Sequence, residues 1–203
     1  ASGIALGLAT NIPPHNLAET IDALVAIIHN PVITTSELME HIPCPDFPPG
    51  GVLLATPELR TASETGRGKL TLRAKVDIEP GPAGRTLIVI TEMAYQVSKS
   101  GMLEKILRLS EEKKTLFSGI HDIRDESDRT GLRAVIELKR DTDPQRVLAA
   151  LYKYSDMQVT FGVNMMAIAD GKPEQMGIKR VIECFIAHQE NVIRRRISKM
   201  DCA

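Results

Sequence analysis

Lys69-Leu70-Thr71-Leu72-Arg73-Ala74-Lys75-Val76-Asp77-Ile78 alternates apolar and polar residues without a break. Successive strand side chains point to opposite faces. This period of two therefore predicts one β-strand with a core face and a face carrying Lys69, Arg73 and Lys75. Downstream, Glu79-Pro80-Gly81-Pro82-Ala83-Gly84 has the residues of a turn and leads into Arg85 to Met93, rich in Ile and Val, which predicts an antiparallel partner strand. Upstream, Leu17, Ile21, Leu24, Val25 and Ile28 recur at helical spacing behind Asn16, with Glu19 three residues on. That is the signature of an N-capped helix over Leu17 to His29. A short helix is expected from Ser36, capped by Thr35 and ending before Pro43. Cys44 to Gly51, with three prolines and two glycines, must be irregular, and Val52 to Ala55 reads as a strand.

Further along, the pattern predicts a helix over about Met102 to Lys113, a strand over Leu132 to Leu138 and a helix opened by Asp143-Pro144 and running to about Tyr154. A strand over Val163 to Ile168 follows, then a long amphipathic helix marked by Ile178, Val181, Ile182, Phe185, Ile186, Val192 and Ile193. Strands and helices mix without a βαβ rhythm or an internal repeat. The fold class is therefore α+β, an antiparallel-rich mixed sheet with packed helices and a protruding C-terminal helix.

The 203 residues hold 25 Lys and Arg against 26 Asp and Glu, with 43% hydrophobic and 25% charged side chains. This balance excludes the disordered and fibrous classes. A chain of this length buries enough surface to fold without disulfides or a structural metal. Cys44, Cys184 and Cys202 are odd in number, far apart and without a CxxC or a zinc spacing, which points to reduced thiols in a cytoplasm. The longest apolar stretches, Ile4 to Ala9 and Ala23 to Ile28, fall far short of the ~20 residues of a membrane helix. The opening Ala1-Ser2-Gly3 and the run Ile193 to Met200, which has no stop signal, give the expectation of an excised piece whose last helix is cut in mid-run.

Charge is unevenly placed. Residues 1 to 59 contain no Lys or Arg and six acids (Glu19, Asp22, Glu37, Glu40, Asp46 and Glu58), so they carry −6 while the remainder carries +5. A polyanionic partner is expected to touch the later part, where Arg60, Arg67, Lys69, Arg73 and Lys75 are opposed locally only by Glu64 and Asp77. On composition alone, a basic strand of this kind is either a solvated sheet face or a binding face.

Motifs for self-contained catalysis are missing: there is no GxSxG, Walker loop, HExxH or Rossmann glycine pattern. No residue is assigned a catalytic or metal-binding role. His15, His29, His41, His121 and His188 are scattered at intervals unsuited to a metal on one helix face. The acidic loop Arg124 to Gly131 lacks the Gly and bidentate Glu of a calcium loop. Its Asp125, Ser127 and Asp128 are expected to satisfy turn backbone groups and to pair with Arg124 or Arg129. The most unusual stretch is Thr10-Asn11-Ile12-Pro13-Pro14-His15-Asn16, where two prolines stiffen the backbone directly after Ile12. From the residues alone Ile12 is either a staple against the following helix or a stiff apolar wedge of the kind that enters DNA.

The stretch Gly3-Ile4-Ala5-Leu6-Gly7-Leu8-Ala9-Thr10-Asn11-Ile12-Pro13-Pro14-His15-Asn16-Leu17 resembles the A subunit of the bacterial type IIA DNA topoisomerases. So do Leu38 to Pro43 with Pro45-Asp46-Phe47-Pro48, Thr65-Gly66-Arg67-Gly68-Lys69, Tyr95-Gln96-Val97, Arg124 to Asp128 and Gln158 to Met165. They run in family order over nearly the whole chain. Glu40-His41-Ile42-Pro43 and Phe161-Gly162-Val163-Asn164-Met165 lean to the gyrase branch over topoisomerase IV.

The resemblance implies a tower domain over residues 1–174, which binds and bends the gate segment of double-stranded DNA, and the start of a coiled-coil arm over 175–203. It implies that Ile12 matches the family's intercalating isoleucine. On that frame Arg67, Lys69, Arg73, Lys75 and Lys99 are candidates for the DNA backbone. If the first four each neutralise a phosphate, the salt slope is about −3.6. The family's catalytic Tyr and neighbouring Arg lie upstream of Gly3, and Tyr95, Tyr152 and Tyr154 do not match that motif. The piece is therefore expected to be inactive alone, with no cofactor of its own. Mg²⁺ and ATP would act in the full enzyme through the B subunit. The partners would be double-stranded DNA, a second A subunit, and the B subunit of a cytoplasmic heterotetramer, with no membrane. Departures from the family pattern are Cys44 where Gly is usual, Ser98 where Asn is common and Gln189 where a basic residue is usual. The rival readings are a purely structural spacer between DNA gate and coiled coil, and a free-standing RNA-binding module.

Overall fold

The computed structural model of the chain describes residues 2–5, 8–129 and 131–200; Leu6, Gly7, Thr130 and Cys202, which belong to stretches read above, lie outside them. In chain order the first elements are β1 (Ser2–Ala5), β2 (Leu8–Asn11), α1 (Leu17–His29), α2 (Thr35–Leu38), β3 (Val52–Leu53), α3 (Pro57–Thr65), β4 (Arg67–Arg73), β5 (Lys75–Pro80) and β6 (Thr86–Glu92). They are followed by α4 (Lys99–Glu112), α5 (Lys114–Phe117), β7 (Ile120–Asp125), β8 (Ala134–Leu138) and α6 (Pro144–Tyr154). The last are β9 (Gln158–Asn164), β10 (Met166–Ala169), β11 (Lys172–Gln175) and α7 (Ile178–Met200). The fold is α+β. Its sheets have the strand orders β1-β2-β9-β4-β3, β5-β6-β8-β7 and β10-β11. By packing, the chain divides into unit 1, Ala1–Asp46, Ala55–Leu70 and Gly162–Ala203, and unit 2, Phe47–Leu54 and Thr71–Phe161.

In unit 1, Asn16 caps α1 as its spacing requires: its side-chain oxygen accepts the N–H groups of Ala18 and Glu19 at 2.9 and 3.4 Å. The next helix starts one residue earlier than expected, because Thr34 rather than Thr35 is the cap and forms a reciprocal capping box with Glu37. Helix α2 packs against α1, α3 and α7, burying Leu38. Helix α3 and the hairpins β1–β2 and β10–β11 carry too short a periodic signal to be read from the sequence. The strand expected over Val163 to Ile168 is divided at Met165, whose N–H bonds the Gly66 carbonyl at 2.7 Å and whose carbonyl accepts from Met176 at 3.0 Å.

Unit 2 is built on the sheet β5-β6-β8-β7. One face of β6 and β8, through Ile88, Ile90, Ile136 and Leu138, packs with Met102, Ile106, Phe117 and Leu151 of α4, α5 and α6. The other face buries Leu87, Val89 and Val135. Burial on both faces explains why Leu87 to Ile90 and Ala134 to Ile136 are consecutive apolar residues rather than an alternation. On that second face Glu137 is buried and receives Arg85 Nη1 at 2.6 Å and Arg124 Nη1 at 2.5 Å. A bidentate pair between Arg133 and Glu79, at 3.1 and 2.8 Å, continues the charged layer.

The single strand expected over Lys69 to Ile78 is two strands in two sheets. At the break, Ala74 is buried, its N–H is donated to the Met157 carbonyl at 2.8 Å and its carbonyl accepts the Tyr152 hydroxyl at 3.5 Å. A backbone whose hydrogen bonds go to a third segment leaves one ladder and starts another, and side-chain alternation is blind to that exchange. The inward face also weakens after the break: Leu70 and Leu72 are buried, whereas Ile78 is 41% exposed.

Candidate nucleic-acid interface

Unit 1 holds the unusual Ile12 on a braced support. The residue follows directly on β2, whose Asn11 pairs with Asn164 of β9. Side chains lock this junction: Asn11 Nδ2 donates to the Gly162 carbonyl at 2.7 Å, Thr10 Oγ1 to the Asn164 carbonyl at 3.2 Å, and Asn164 Nδ2 to the Ala9 carbonyl at 2.6 Å. Beyond Ile12, Pro13 is buried, and the Pro14 carbonyl accepts the Asp46 N–H at 2.9 Å. Then comes the capped start of α1. Ile12 itself is half-buried. The stiffness read from the two prolines thus has a second source, a strand end pinned by amide side chains. Next in the chain, burial pushes the His15 imidazole below its ordinary pKa, hydrogen bonding to the Pro13 backbone partly opposing it. A neutral imidazole suits this apolar surround.

On the far side of β9 lies β4, which begins with Arg67. Its approach is set by two glycines. Gly66 ends α3 in the left-handed conformation, φ 73°, where a Cβ would stand 2.1 Å from the Met176 carbonyl oxygen. At Gly68 a Cβ would meet that of Ala62 at 2.8 Å, so β4 runs closer to α3 than any side chain permits. Thr65 Oγ1 accepts the Arg67 N–H at 3.2 Å, while its own proton is directed to the Thr61 carbonyl at 2.7 Å, with the Arg67 carbonyl next nearest at 3.0 Å. The result is an open groove of about 520 Å³ lined by Arg67, Gly68, Lys69, Gly162, Asn164 and Gln175, with Val163 and Met166 as its apolar part. Arg67 and Lys69 are exposed, and neither forms an ion pair among the described residues.

The other candidate cations belong to unit 2 and are engaged there. Arg73 is half-buried, donating from Nε to Gln158 Oε1 at 2.7 Å with its guanidinium 4.6 Å over the Tyr152 ring. Lys75 pairs with Glu92 at 2.9 Å, and Glu92 also accepts the Gly51 N–H at 2.6 Å. These two donors hold the Glu92 carboxyl below its usual range, Lys75 first, and the carboxylate raises the Lys75 pKa in turn. Lys99 reaches Asp125 at 2.6 Å, and that bond, with those from Ser127, holds the Asp125 carboxyl down to about 2. In unit 1, Arg60 is shared between Glu64 and the Ser36 hydroxyl.

The acidic loop is thus occupied by its neighbours, Lys99 on Asp125 and both Arg124 and Arg133 on Glu126. Among the described residues no group of three His, Cys, Asp or Glu side chains is placed to hold a metal ion. Each tyrosine is packed rather than paired with a base: Tyr95 forms a three-ring cluster with Phe47 and Phe161, their centroids 5.1 and 5.9 Å from its own, Tyr152 lies beneath Arg73 and Tyr154 beneath Lys113 at 4.4 Å. Cys44 and Cys184 are free thiols, and burial pushes Cys44 up from its usual pKa. Sequence reading missed Asn164 and Gln175 as groove-lining polar groups. The signal for Asn164 was present in the Gln158 to Met165 stretch, whereas Gln175 sits on a strand that periodicity did not reveal.

The arrangement is an apolar side chain on a braced strand end, one strand away from a groove with two unpaired cations. Neighbouring strands lie about 4.8 Å apart, so β2 and β4 are about 10 Å from each other across β9. Residues 1–201 match the family model for the A subunit of DNA gyrase/topoisomerase IV. The chain is 48% identical over 196 residues to a DNA gyrase A subunit of Clostridium acetobutylicum, covering 97% of this chain and 23% of that protein. It is 49% identical to the DNA gyrase A subunit of Halalkalibacterium halodurans, with the same coverage. It is 48% identical over 198 residues to the chloroplastic/mitochondrial DNA gyrase A subunit of Arabidopsis thaliana, covering 97% and 21%. The chain therefore spans under a quarter of the length of these relatives.

Proposed function

The chain belongs to the family of DNA gyrase/topoisomerase IV A subunits, and we propose that it is the part of a gyrase A subunit that binds and bends the DNA segment opened by the enzyme. The names of the relatives support the gyrase branch. In this reading residues 1–174 act as the tower and 175–203 begin the coiled-coil arm. Ile12 partly unstacks a base step while Arg67 and Lys69 hold the backbone. Unstacking costs a few kcal/mol per step, so the bend is favourable only where added backbone contacts offset it. The observation that carries the reading is the braced Ile12 beside a groove whose cations are not already neutralised.

Arg73, Lys75 and Lys99 are weaker candidates for phosphate. Lys75 and Lys99 would have to leave carboxylates, and Arg73 its Gln158 hydrogen bond and its stack on the Tyr152 ring. Their pairing favours a supporting, spacer-like role for unit 2. Two phosphate contacts instead of four give a salt-slope contribution of about −1.8. The intact enzyme would draw Mg²⁺ and ATP through its B subunit, pair two A subunits, act on double-stranded DNA in a cytoplasm and pass one duplex through another. Among the described residues no helix is long and apolar enough to cross a membrane. The chain alone would neither cleave DNA nor hydrolyse ATP, and covalent attachment of labelled DNA to it would refute this. The direct test of the groove is duplex binding by the intact protein at several salt concentrations. Arg67→Ala and Lys69→Ala are each expected to flatten the slope by about 0.9. An unchanged slope in both variants would return the groove to a solvated face.

A further inference from the structure

The hairpin β10–β11 rises from the same groove, which its Met166 and Gln175 line. Its turn, Asp170-Gly171, has φ values of 49° and 77°. Two successive left-handed residues make the tight turn that follows strand twist, so the ribbon is stiff. Met166 pairs with Gln175 and Ile168 with Pro173. Cross-strand partners share a face, and so do residues two apart along a strand. Because Met166 and Gln175 both line the groove beside Arg67 and Lys69, the Ile168–Pro173 pair continues that face about 7 Å further along the ribbon. Ile168 is 78% exposed, and Pro173 and the adjacent Lys172 are exposed too. Lys172 forms no ion pair among the described residues.

A single exposed isoleucine is ordinary. An apolar pair on a stiff ribbon, continuous with a groove holding two unpaired cations, is a more specific arrangement. Two side chains make too small a patch for a protein interface. They suit the narrow minor groove, where Ile and Pro are among the side chains that press between base steps. We propose that the β10–β11 ribbon is a second contact with duplex DNA, Ile168 and Pro173 entering the minor groove next to the backbone held by Arg67 and Lys69. This rests on the DNA-binding reading above.

The experiment is hydroxyl-radical footprinting and duplex affinity of the intact protein, comparing wild type, Ile168→Ser, Ile168→Leu and Lys69→Ala. Ile168→Ser is expected to weaken binding about tenfold, the effect of returning one apolar side chain to water. It should leave the salt slope unchanged and remove one patch of minor-groove protection, distinct from the step opened by Ile12. Ile168→Leu should keep both affinity and protection. If Ile168→Ser binds and protects as wild type does while Lys69→Ala flattens the slope, the ribbon contact is overturned and the groove stands. If Lys69→Ala also leaves the slope unchanged, both are overturned.

Discussion

At the scale of single residues, charge alone does not separate cations already engaged within the fold from those that are not. Lys75 and Lys99 each face a carboxylate within 2.9 Å, whereas Arg67 and Lys69 face open groove. Substituting Lys75 or Lys99 by Ala is therefore expected to leave the salt dependence of duplex binding unaltered, in contrast to the groove pair. The Lys99–Asp125 pair has a pH signature. Its carboxyl is held to about 2 in the folded chain, below the ordinary ~3.9 of an aspartate. A depressed folded value means the pair's stabilisation is fully present above about pH 4 and is lost as pH falls toward 2. Thermal melts of wild type and Asp125→Asn should accordingly differ at pH 5 and converge near pH 2; a gap independent of pH would contradict the pairing. Such partners are unreadable in sequence, since Lys75 meets Glu92 and Lys99 meets Asp125 across stretches of chain that no local spacing connects.

Elements show where local signals suffice. Helix α1 was legible to the residue because Asn16, Glu19 and the apolar stripe are local, and Asn16→Ala should lower stability by about 1 kcal/mol in a denaturant titration. Likewise α6 starts at Pro144 behind Asp143, whose side chain accepts the Gln145 N–H at 3.0 Å. The run from Lys69 to Ile78 was legible as strand but not as two strands, because the break at Ala74 is decided by Met157 and Tyr152. Gly66 belongs at this scale too, as the corner that turns α3 into β4. Gly66→Ala meets both a left-handed backbone and the Met176 carbonyl, so a loss above about 1 kcal/mol is expected, together with weaker duplex binding. A variant as stable as wild type would mean that β4 can approach by another path.

For the whole molecule, the α+β class followed from the mixture of periods, and the two-sided burial of β6 and β8 explains why Leu87 to Ile90 and Ala134 to Ile136 do not alternate. Division of the chain into two compact units was not readable, since each unit is assembled from segments far apart in sequence. Of the candidate interface, Ile12 was visible as a stiff apolar position, but its bracing by Asn11, Thr10 and Asn164 depends on pairing across some 150 residues. The central claim is that this braced side chain bends DNA. It is tested most directly by end-to-end energy transfer in a short doubly labelled duplex, titrated at low salt with the intact protein and with its Ile12→Ala variant. Wild type should shorten the end-to-end distance, and the variant should bind with the wild-type salt slope yet leave the duplex nearly straight. Equal bending by both would show that Ile12 is not the wedge.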